Sequence, residues 1–331
     1  MTILVTGATG FLGSALTREL LKRELVVRIL VRDEQKAREQ FGEHAANLTV
    51  MRGEINDVDK VQQAVDGVST IYHLVGRLYH PSVSSRLYKE THVEGTRVIL
   101  EACKGQSQLQ RFVHCSTTGV HGVTGNTPAA EDAPFAPTNP YEATKLEGEA
   151  LALRAQQEWG LPVSVVRPGL VYGPGDLHLL GFFSTIKKGP FPPIIDGGKA
   201  MIHPVYIDDM TEAFILAAEK PQAIGRSYNI AGAQPVSFRE LSTAIAHSLG
   251  KKLPAGSLPL GLANFASDLF KLLPGFDGEK APLTRSRVRF LTNSRMYNIE
   301  RARKELGYEP TIGLEEGMSY TAAWYQKHGY L

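Results

Sequence analysis

Short apolar runs alternate with longer amphipathic stretches along the first half of the chain. Runs of four to six mostly apolar residues predict buried strands at Ile3–Thr6, Val26–Val31, Leu48–Met51, Thr70–Leu74, Arg111–Cys115 and Val163–Val166. Between them, helical periodicity predicts helices at Phe11–Arg23, Val58–Val65, Ser84–Lys104 and Tyr141–Trp159. This alternation predicts an α/β fold with a doubly wound parallel sheet, in which ligands bind at the carboxyl ends of the strands.

The second half of the chain contains apolar stretches with few charges, at Leu177–Phe183, Pro190–Pro193 and Leu258–Leu273. Ordinary core and domain packing explains each of them separately. Together they also fit a pocket for a bulky apolar substrate. A further interpretation makes Leu258–Leu273 a lid or a helix at a membrane surface. Polar residues within that stretch exclude a membrane span.

Composition narrows the class of protein. At 331 residues the chain can form one large α/β domain with a smaller companion. Its net charge of +2 gives no reason to expect a nucleic-acid partner. The two cysteines, Cys103 and Cys115, are too few for a disulfide framework, and no cluster with metal-ligand spacing occurs. No signal-peptide pattern precedes the first predicted strand, so we expect a cytoplasmic protein.

A glycine-rich turn joins the first predicted strand to the first predicted helix. In Thr6-Gly7-Ala8-Thr9-Gly10-Phe11-Leu12-Gly13 the glycines recur at intervals of three. Glycine lets the backbone turn tightly and approach a pyrophosphate, whose charge then faces the helix N-terminus. A glycine turn without a ligand is the alternative, but the position between strand and helix favours a dinucleotide site. The expected contacts are Gly7, Thr9, Gly10, Phe11, Leu12 and Gly13.

The end of the second predicted strand bears on the choice between NADP and NAD. Enzymes selective for NAD usually place an acidic residue here to bond the ribose 2′-hydroxyl. This chain has Val31 and then Arg32, with Lys36 one turn further on, and a guanidinium suits a 2′-phosphate. We therefore expect NADP. NAD stays open because Asp33 is only one residue away.

Tyr141 and Lys145 lie four residues apart on a predicted helix and so share one face. A free phenol has a pKa near ~10 and is a poor base at neutral pH. A neighbouring ammonium favours the phenolate, which would make the tyrosine a usable general acid or base. The same spacing also occurs on many helices where both side chains are simply exposed on the surface, so the pair alone is weak support for catalysis.

Five motifs in order resemble those of the extended short-chain dehydrogenase/reductase family, within the NAD-dependent epimerase/dehydratase superfamily. They are Thr6–Gly13, Tyr72–Gly76, Cys115–Gly122, Tyr141 with Lys145, and Arg167–Asp176. The resemblance covers essentially the whole chain and is nearest to the 3β-hydroxysteroid dehydrogenase and dihydroflavonol reductase branch. It implies a Rossmann domain at 1–172 with a return segment near 203–232, and a substrate-binding region at 173–202 and 233–331.

The resemblance also implies roles for single residues. Thr117, rather than the less favoured Ser116, would hydrogen-bond the substrate oxygen, and Tyr141 would exchange its proton. Lys145 would also hold the nicotinamide ribose, and Arg167 would line the nicotinamide pocket. Besides Tyr141 and Lys145, the other implied cofactor contacts are Glu54, Ile55, Leu74, Val75, Gly76, Pro168, Gly169 and Val171.

Three departures from the family pattern bear on the reaction. His92 stands where an asparagine is usual, either as part of a proton or water relay or, as we favour, as a structural residue. No acidic residue follows Thr117, which disfavours dehydration. Ile202 replaces the arginine that grips the diphosphate of nucleotide-sugars, although His203 could partly substitute for it.

The expected activity is therefore an NAD(P)-dependent interconversion of a secondary alcohol and a ketone on a largely apolar small molecule, such as a sterol, flavonoid or lipid. One alternative is a sugar-nucleotide epimerase that keeps its cofactor, against which Ile202 argues. Another is a cofactor-sensing protein without catalysis, against which Thr117, Tyr141 and Lys145 argue. The resemblance further implies a homodimer formed through Ser84–Lys104 and Tyr141–Trp159.

Overall fold

The computed structural model describes residues 1–42, 46–189, 194–253, 256–272 and 283–331. Its centre is a parallel sheet of seven strands in the order β10-β6-β5-β4-β1-β2-β3. These strands are β1 (Thr2–Thr6), β2 (Val26–Val31), β3 (Leu48–Arg52), β4 (Thr70–His73), β5 (Arg111–Cys115), β6 (Val163–Pro168) and β10 (Ser227–Ile230). The order reverses between β1 and β4, which opens a crevice at their carboxyl ends.

Helices cover both faces of the sheet and continue into the C-terminal region. They are α1 (Phe11–Lys22), α2 (Glu34–Phe41), α3 (Val58–Val65), α4 (Ser85–Lys89), α5 (Gly95–Ala102), α6 (Pro140–Trp159), α7 (Leu180–Lys188), α8 (Ile207–Glu219), α9 (Phe238–Ser248), α10 (Leu260–Leu272), α11 (Arg285–Thr292), α12 (Glu300–Leu306) and α13 (Leu314–Lys327). Four short strands, β7 (Leu170–Tyr172), β8 (Met201–Ile202), β9 (Pro204–Tyr206) and β11 (Val236–Ser237), form two small two-stranded sheets.

The predicted α/β fold with a doubly wound parallel sheet is confirmed. All six expected strands are present, and their limits differ from the expected ones by at most two residues. The pattern did not show β10, which extends the sheet beside β6. The central residues of β1, β5, β6 and β10 are almost fully buried, as in Leu4 and Val5 of β1, because helices pack on both faces of the sheet.

The long helix expected at Ser84–Lys104 is interrupted. Between α4 and α5 the chain makes one π-helical turn, Glu90–Glu94, which contains His92. A π turn inserts an extra residue into the helix and is frequent at functional sites. Here it lies against α6, where a Cβ on Gly148 would come 2.5 Å from the carbonyl oxygen of His92. Glycine therefore permits a close approach of the two helices next to Lys145.

The C-terminal region has its own apolar core. Phe183 of α7, Phe238 of α9 and Tyr325 of α13 are buried together, and the Phe183 and Tyr325 rings meet edge to face with centroids 5.1 Å apart. A smaller cluster joins Ala263 of α10 to Val288 of α11. The expected apolar loop Pro190–Pro193 lies outside the described residues, as does Leu273. Among the described residues, no helix is long and apolar enough to cross a membrane.

Candidate active site and cofactor cleft

The glycine turn after β1 makes room for a ligand by bringing backbones into contact. Gly7 has a φ of +76°, and a Cβ there would lie 2.8 Å from the carbonyl group of Leu74 at the end of β4. A Cβ on Gly13 would lie 2.1 Å from the carbonyl oxygen of Gly7. At Gly10, which precedes α1, no side chain caps the helix. The first N–H groups of α1 are thus left for an anion, and the turn fits a pyrophosphate.

A cleft of about 330 Å³ opens at the switch point between β1 and β4. Ten of the residues expected to contact the cofactor line it: Gly7, Thr9, Gly10, Arg32, Lys36, Glu54, Ile55, Leu74, Val75 and Gly76. The sequence interpretation missed further lining residues, among them Asn56, Arg77, Glu90 and Thr91. Arg77 was recognisable from its position, because it directly follows the strand-end segment Leu74–Gly76.

The remaining expected cofactor contacts are not among the residues that line this cleft. Leu12 and Val171 pack on the core, and the ring of Phe11 lies 3.5 Å from where a Cβ on Gly175 would be. Pro168 accepts a hydrogen bond from Thr118 Oγ1, at 3.0 Å, through its carbonyl oxygen. A Cβ on Gly169 would lie 2.7 Å from the carbonyl oxygen of His203, so this segment also depends on close backbone packing.

The charged groups at the end of β2 have separate uses. The Asp33 carboxylate accepts the backbone N–H of Lys36 at 3.0 Å and so caps the N-terminus of α2. The side chains of Arg32 and Lys36 are exposed, and both residues line the cleft. The carboxylate is thus engaged by the backbone, while two cations stand at this end of the cleft.

The structure brings Thr117, Tyr141 and Lys145 together beside the cleft. Asn139 caps α6 by accepting the backbone N–H of Glu142 at 3.0 Å, so Tyr141 lies in the first turn and Lys145 one turn later. The hydroxyl of Thr117, which follows β5, hydrogen-bonds the phenol of Tyr141. Ser116 is instead buried, and its hydroxyl has no partner among the described residues. Of the two candidate hydroxyls, only that of Thr117 meets Tyr141.

The pKa of Tyr141 differs from the expectation. Burial raises the pKa of this phenol well above its usual value near ~10, and the hydrogen bond with Thr117 only partly opposes that effect. The Lys145 ammonium does not activate the phenol directly, because it donates to the carbonyl oxygen of Cys115. Burial also lowers the pKa of Lys145, which the neighbouring Glu149 carboxylate partly restores. Tyr141 is therefore a neutral phenol in the free protein, the form that can donate a proton.

His92 is held by both ring nitrogens. Its Nε2 accepts the backbone N–H of Arg77 at 2.9 Å, and its Nδ1 lies 2.9 Å from Thr144 Oγ1. Thr144 donates its own hydroxyl to the carbonyl oxygen of Pro140, at 2.8 Å, so Nδ1 is the donor toward it. Burial and the Lys145 charge lower the pKa of His92 to about 2. The ring is neutral with a fixed tautomer, which supports the structural interpretation over a proton relay.

Arg167 has a different role from the one expected. Its Nη2 lies 2.5 Å from Glu149 Oε1, and these two side chains are 3% and 2% exposed. Its Nη1 donates to the carbonyl oxygen of Glu131 at 2.9 Å. A guanidinium engaged in this way cannot turn toward a nicotinamide pocket. Arg167 instead fastens β6 to α6, and thereby sets the position of the Pro168 backbone relative to Tyr141.

A second ion pair joins helix α6 to the C-terminal region. Arg295 Nη1 lies 2.7 Å from Oε1 of Glu142, the residue after Tyr141. The other carboxylate oxygen of Glu142 accepts the backbone N–H of Thr138 at 2.6 Å, and Arg295 donates to Thr138 Oγ1 at 3.0 Å. Arg295 also donates its backbone N–H to the carbonyl oxygen of Met201, at 2.7 Å. One arginine therefore connects β8 with the first turn of α6.

A second cavity, of about 430 Å³, lies between α7, α9 and α11. Most of its lining is apolar, and the lining includes Leu170, Leu179, Phe182, Phe238, Arg287 and Phe290. Part of the expected apolar stretch Leu177–Phe183 thus lines a cavity, while Phe183 is buried in the core. Leu170 comes two residues after Pro168, the last residue of β6, which places one wall of the cavity next to the carboxyl end of that strand.

Two residues bear on the binding of a diphosphate. Ile202 is 2% exposed and packs in the C-terminal core. His203 accepts the backbone N–H of Tyr297 at 3.3 Å, and its other ring nitrogen lies 2.9 Å from the carbonyl oxygen of Gly232. Burial lowers the pKa of His203 to about 4. A neutral imidazole with both nitrogens engaged cannot replace the missing arginine.

Comparison with known proteins agrees with this geometry. Residues 3–231 match the family model described as the NAD dependent epimerase/dehydratase family. The chain is 30% identical to the 2-alkyl-3-oxoalkanoate reductase of Stenotrophomonas maltophilia, covering 96% of this chain and 97% of that protein. It is 28% identical to the 3beta-hydroxysteroid-dehydrogenase/decarboxylase isoform 1 of Arabidopsis thaliana, over 96% of this chain and 78% of that protein.

Among solved structures, UDP-glucuronic acid 4-epimerase from Bacillus cereus, in complex with NAD, superposes with a TM-score of 0.81 and 23% identity, covering 99% of both chains. At this identity the likeness shows the fold alone. The family model covers more than half of the chain, and it matches the segment that contains the glycine turn, Thr117, Tyr141 and Lys145. The protein is therefore a member of the NAD dependent epimerase/dehydratase family, an enzyme family of the extended short-chain dehydrogenase/reductase type.

Proposed function

We propose that this protein is an NADP-preferring reductase that interconverts a ketone and a secondary alcohol on a largely apolar small molecule. The observation that supports this most directly is the neutral phenol of Tyr141, which is hydrogen-bonded to Thr117 and lies one helical turn from Lys145. A protonated phenol is an acid, and reduction of a ketone requires an acid for the oxygen. We therefore take ketone reduction as the direction that the free protein is prepared for.

The chain's own residues would bind the cofactor and place the substrate. The pyrophosphate would be held by Gly7, Gly10 and the N-terminus of α1. Lys145 would hold the ribose through its ammonium, which in the free protein donates to the carbonyl oxygen of Cys115. A bound nicotinamide cofactor supplies or accepts the hydride at the substrate carbon. Tyr141 would donate its proton to the substrate oxygen, and Thr117 would orient that oxygen through a second hydrogen bond.

The apolar cavity supports the substrate class. Its walls include Leu179, Phe182, Phe238 and Phe290, and it begins at Leu170 beside the expected nicotinamide position. Two relatives have names that specify ketones or alcohols of apolar molecules, a 2-alkyl-3-oxoalkanoate reductase and a 3beta-hydroxysteroid-dehydrogenase/decarboxylase. A cavity with this lining favours a substrate with alkyl or ring carbons next to the reacting carbonyl.

The preference for NADP rests on the end of β2. A 2′-phosphate at the ribose would meet Arg32 and Lys36, whose cationic groups suit it. An NAD-selective site needs a free carboxylate at this point, but the Asp33 carboxylate caps α2. The neutral adenosine ribose of NAD would leave both cations without a partner from the cofactor.

A sugar-nucleotide epimerase is the weaker candidate. Such an enzyme must hold two phosphates of the substrate, and Ile202 and His203 offer them no cation. Arg295 is nearby in the same region but is paired with Glu142.

The homodimer through the α4–α5 and α6 helices remains part of the proposal, and its mass in solution can be measured by light scattering.

The test is nicotinamide absorbance with NADPH and NADH across 2-alkyl-3-oxoalkanoates, oxosteroids and UDP-sugars. We expect net oxidation of NADPH with an apolar ketone, loss of that activity in Tyr141→Phe, and retention in Tyr79→Phe, a matched change at a tyrosine that is 42% exposed. Epimerisation of a UDP-sugar without net redox would contradict the proposal, as would equal rates in Tyr141→Phe and the wild type.

A further inference from the structure

One face of α10 exposes large apolar side chains. Leu262, Phe265 and Leu269 are 57%, 68% and 47% exposed. Their spacing of three and four residues places them on one stripe of the helix. The opposite stripe contains Ala263 and Ser267, which are buried. The helix is therefore amphipathic in the reverse of the usual sense, because its largest apolar groups face solvent.

The segments of this part of the C-terminal region carry more basic than acidic side chains. Asp196, whose backbone N–H donates to the carbonyl oxygen of Leu258, is an acidic residue near the start of α10. In the described stretches 180–189, 251–253, 256–272 and 283–292, seven basic side chains are described, at Lys187, Lys188, Lys251, Lys252, Arg285, Arg287 and Arg289. The one acidic residue of these stretches, Asp268, lies on α10 and is engaged by Arg285, whose Nε lies 2.9 Å from Asp268 Oδ1. Since the whole chain has a net charge of only +2, positive charge is concentrated in this region.

Contacts place these groups in one lobe. Arg285 joins the start of α11 to α10 through Asp268, and Val288 of α11 is buried against Ala263 of α10. Lys251 donates its ammonium to the carbonyl oxygen of Lys187 at the end of α7. The apolar cavity opens in the same lobe, since α7 and α11 form its walls and Phe290 of α11 is 46% exposed.

We propose that the α10 face, defined as Leu262, Phe265 and Leu269, docks on the surface of an anionic lipid bilayer. The apolar stripe would enter the boundary between headgroups and acyl chains, and the basic side chains would meet anionic headgroups. A second copy of the chain fits less well. A two-fold dimer through this face would set one basic lobe against the other, and like charges would repel. The surface stands independently of the reaction proposed above.

The experiment is co-sedimentation of the full chain with vesicles. Vesicles of phosphatidylcholine mixed with phosphatidylglycerol are compared with vesicles of phosphatidylcholine alone, at about 0.1 M and about 1 M salt, where the Debye length falls from ~10 Å to ~3 Å. We expect binding to the anionic vesicles at low salt and clear weakening at high salt. Each of Leu262→Gln, Phe265→Gln and Leu269→Gln should weaken binding about tenfold.

Two matched controls distinguish binding through this face from nonspecific hydrophobic adsorption and from nonspecific electrostatic attraction. Val58→Gln removes an apolar side chain that is 62% exposed on α3, and it should leave vesicle binding unchanged. Arg289→Gln should weaken binding about fivefold, whereas Lys22→Gln, at a side chain that is 80% exposed on α1, should not. Thermal melting shows whether each variant folds, and Leu262→Gln and Leu269→Gln provide the same test if Phe265→Gln does not fold.

Three results would overturn the proposal. The first is a wild-type protein that stays in the supernatant with anionic vesicles at low salt. The second is equal sedimentation of Phe265→Gln and the wild type. The third is a Phe265→Gln variant that changes from dimer to monomer without lipid, since the face would then be an interface between copies. None of these measurements uses catalysis, so failure of the proposed reaction would not affect them.

Discussion

Replacing one partner of the buried ion pair between Glu149 and Arg167 tests whether this pair stabilises the packing of β6 on α6. Two nitrogens of the guanidinium lie 2.5 Å and 3.1 Å from Glu149 Oε1. Both side chains are at most 3% exposed, so water cannot solvate a charge left behind. We consider Glu149→Met, Arg167→Met and the double variant that carries both changes.

Each single variant should lower the free energy of unfolding by ~3–5 kcal/mol, because it leaves one charge buried without its partner. Unfolding entropy of ~2.1 cal/mol/K per residue gives ~0.7 kcal/mol/K for a chain of this size, so the midpoint of thermal unfolding should fall by ~4–7 °C. The double variant removes both charges and should lose less than either single variant. The coupling between the two sites should therefore be at least ~3 kcal/mol.

The assay is urea unfolding followed by circular dichroism, with Glu212→Gln as the matched control. Arg23 Nη2 lies 2.6 Å from Glu212 Oε2, but these side chains are 36% and 45% exposed. Loss of that surface pair should cost less than ~1 kcal/mol. Two results would refute the argument that the buried ion pair stabilises the contact between β6 and α6. One is an equal loss of unfolding free energy at the buried and the exposed pair, and the other is additive losses in the double variant.

Three further changes follow from the site. Arg32→Asp should raise KM for NADPH at least tenfold and lower KM for NADH, with little change in kcat. An unchanged ratio of the two KM values would show that Arg32 does not select the cofactor. Arg295→Met should lower kcat about tenfold with a smaller effect on KM, because Glu142 would lose the partner that fixes the first turn of α6. Arg295→Lys should partly restore kcat. Equal effects of the two variants would argue that Arg295 does not position Tyr141. Burial lowers the pKa of His73 to about 3 from ~6.5, so unfolding takes up a proton between these values. The stability that neutral His73 contributes is therefore complete above pH ~6.5 and is lost as pH falls, by up to ~1.4 kcal/mol per unit, and His73→Asn should flatten urea midpoints measured from pH 7 to 5.

The central sheet and the glycine turn could be predicted because local patterns determine them. A strand buried on both faces is a nearly continuous apolar run, as in β1 and β2. The need for glycine at Gly7 and Gly13 comes from backbone contacts within a few residues or across adjacent strands. Most of the cofactor cleft was therefore visible in the sequence.

Features that depend on distant contacts could not be predicted. Arg295 and Glu142 are separated by 153 residues, and no local pattern pairs them. The motif containing Arg167 suggested a place at the nicotinamide, but the guanidinium of this β6 residue pairs with Glu149 on helix α6. The pKa of Tyr141 was expected to fall because of Lys145. In the structure burial raises the pKa of this phenol instead, and burial is a property of the assembled fold.

The C-terminal region was the hardest to interpret because its apolar stretches serve several purposes. Phe183 is core, Phe182 lines the cavity, and Phe265 faces solvent, although all three stand in similar apolar runs. Hydrophobicity alone does not separate these outcomes. Helical phase separates Phe265 from the buried Ala263, but only once the packing partner α11 is known.

The most direct test of the proposed reaction follows the hydride and the proton together. NADPH carrying deuterium at both hydrogen positions of C4 is incubated with a 2-alkyl-3-oxoalkanoate, and the product is analysed by mass spectrometry. We predict one deuterium at the new alcohol carbon for each NADPH consumed, and no product with Tyr141→Phe. Deuterium-free product, or product formed equally by Tyr141→Phe, would contradict a reduction in which Tyr141 is the acid.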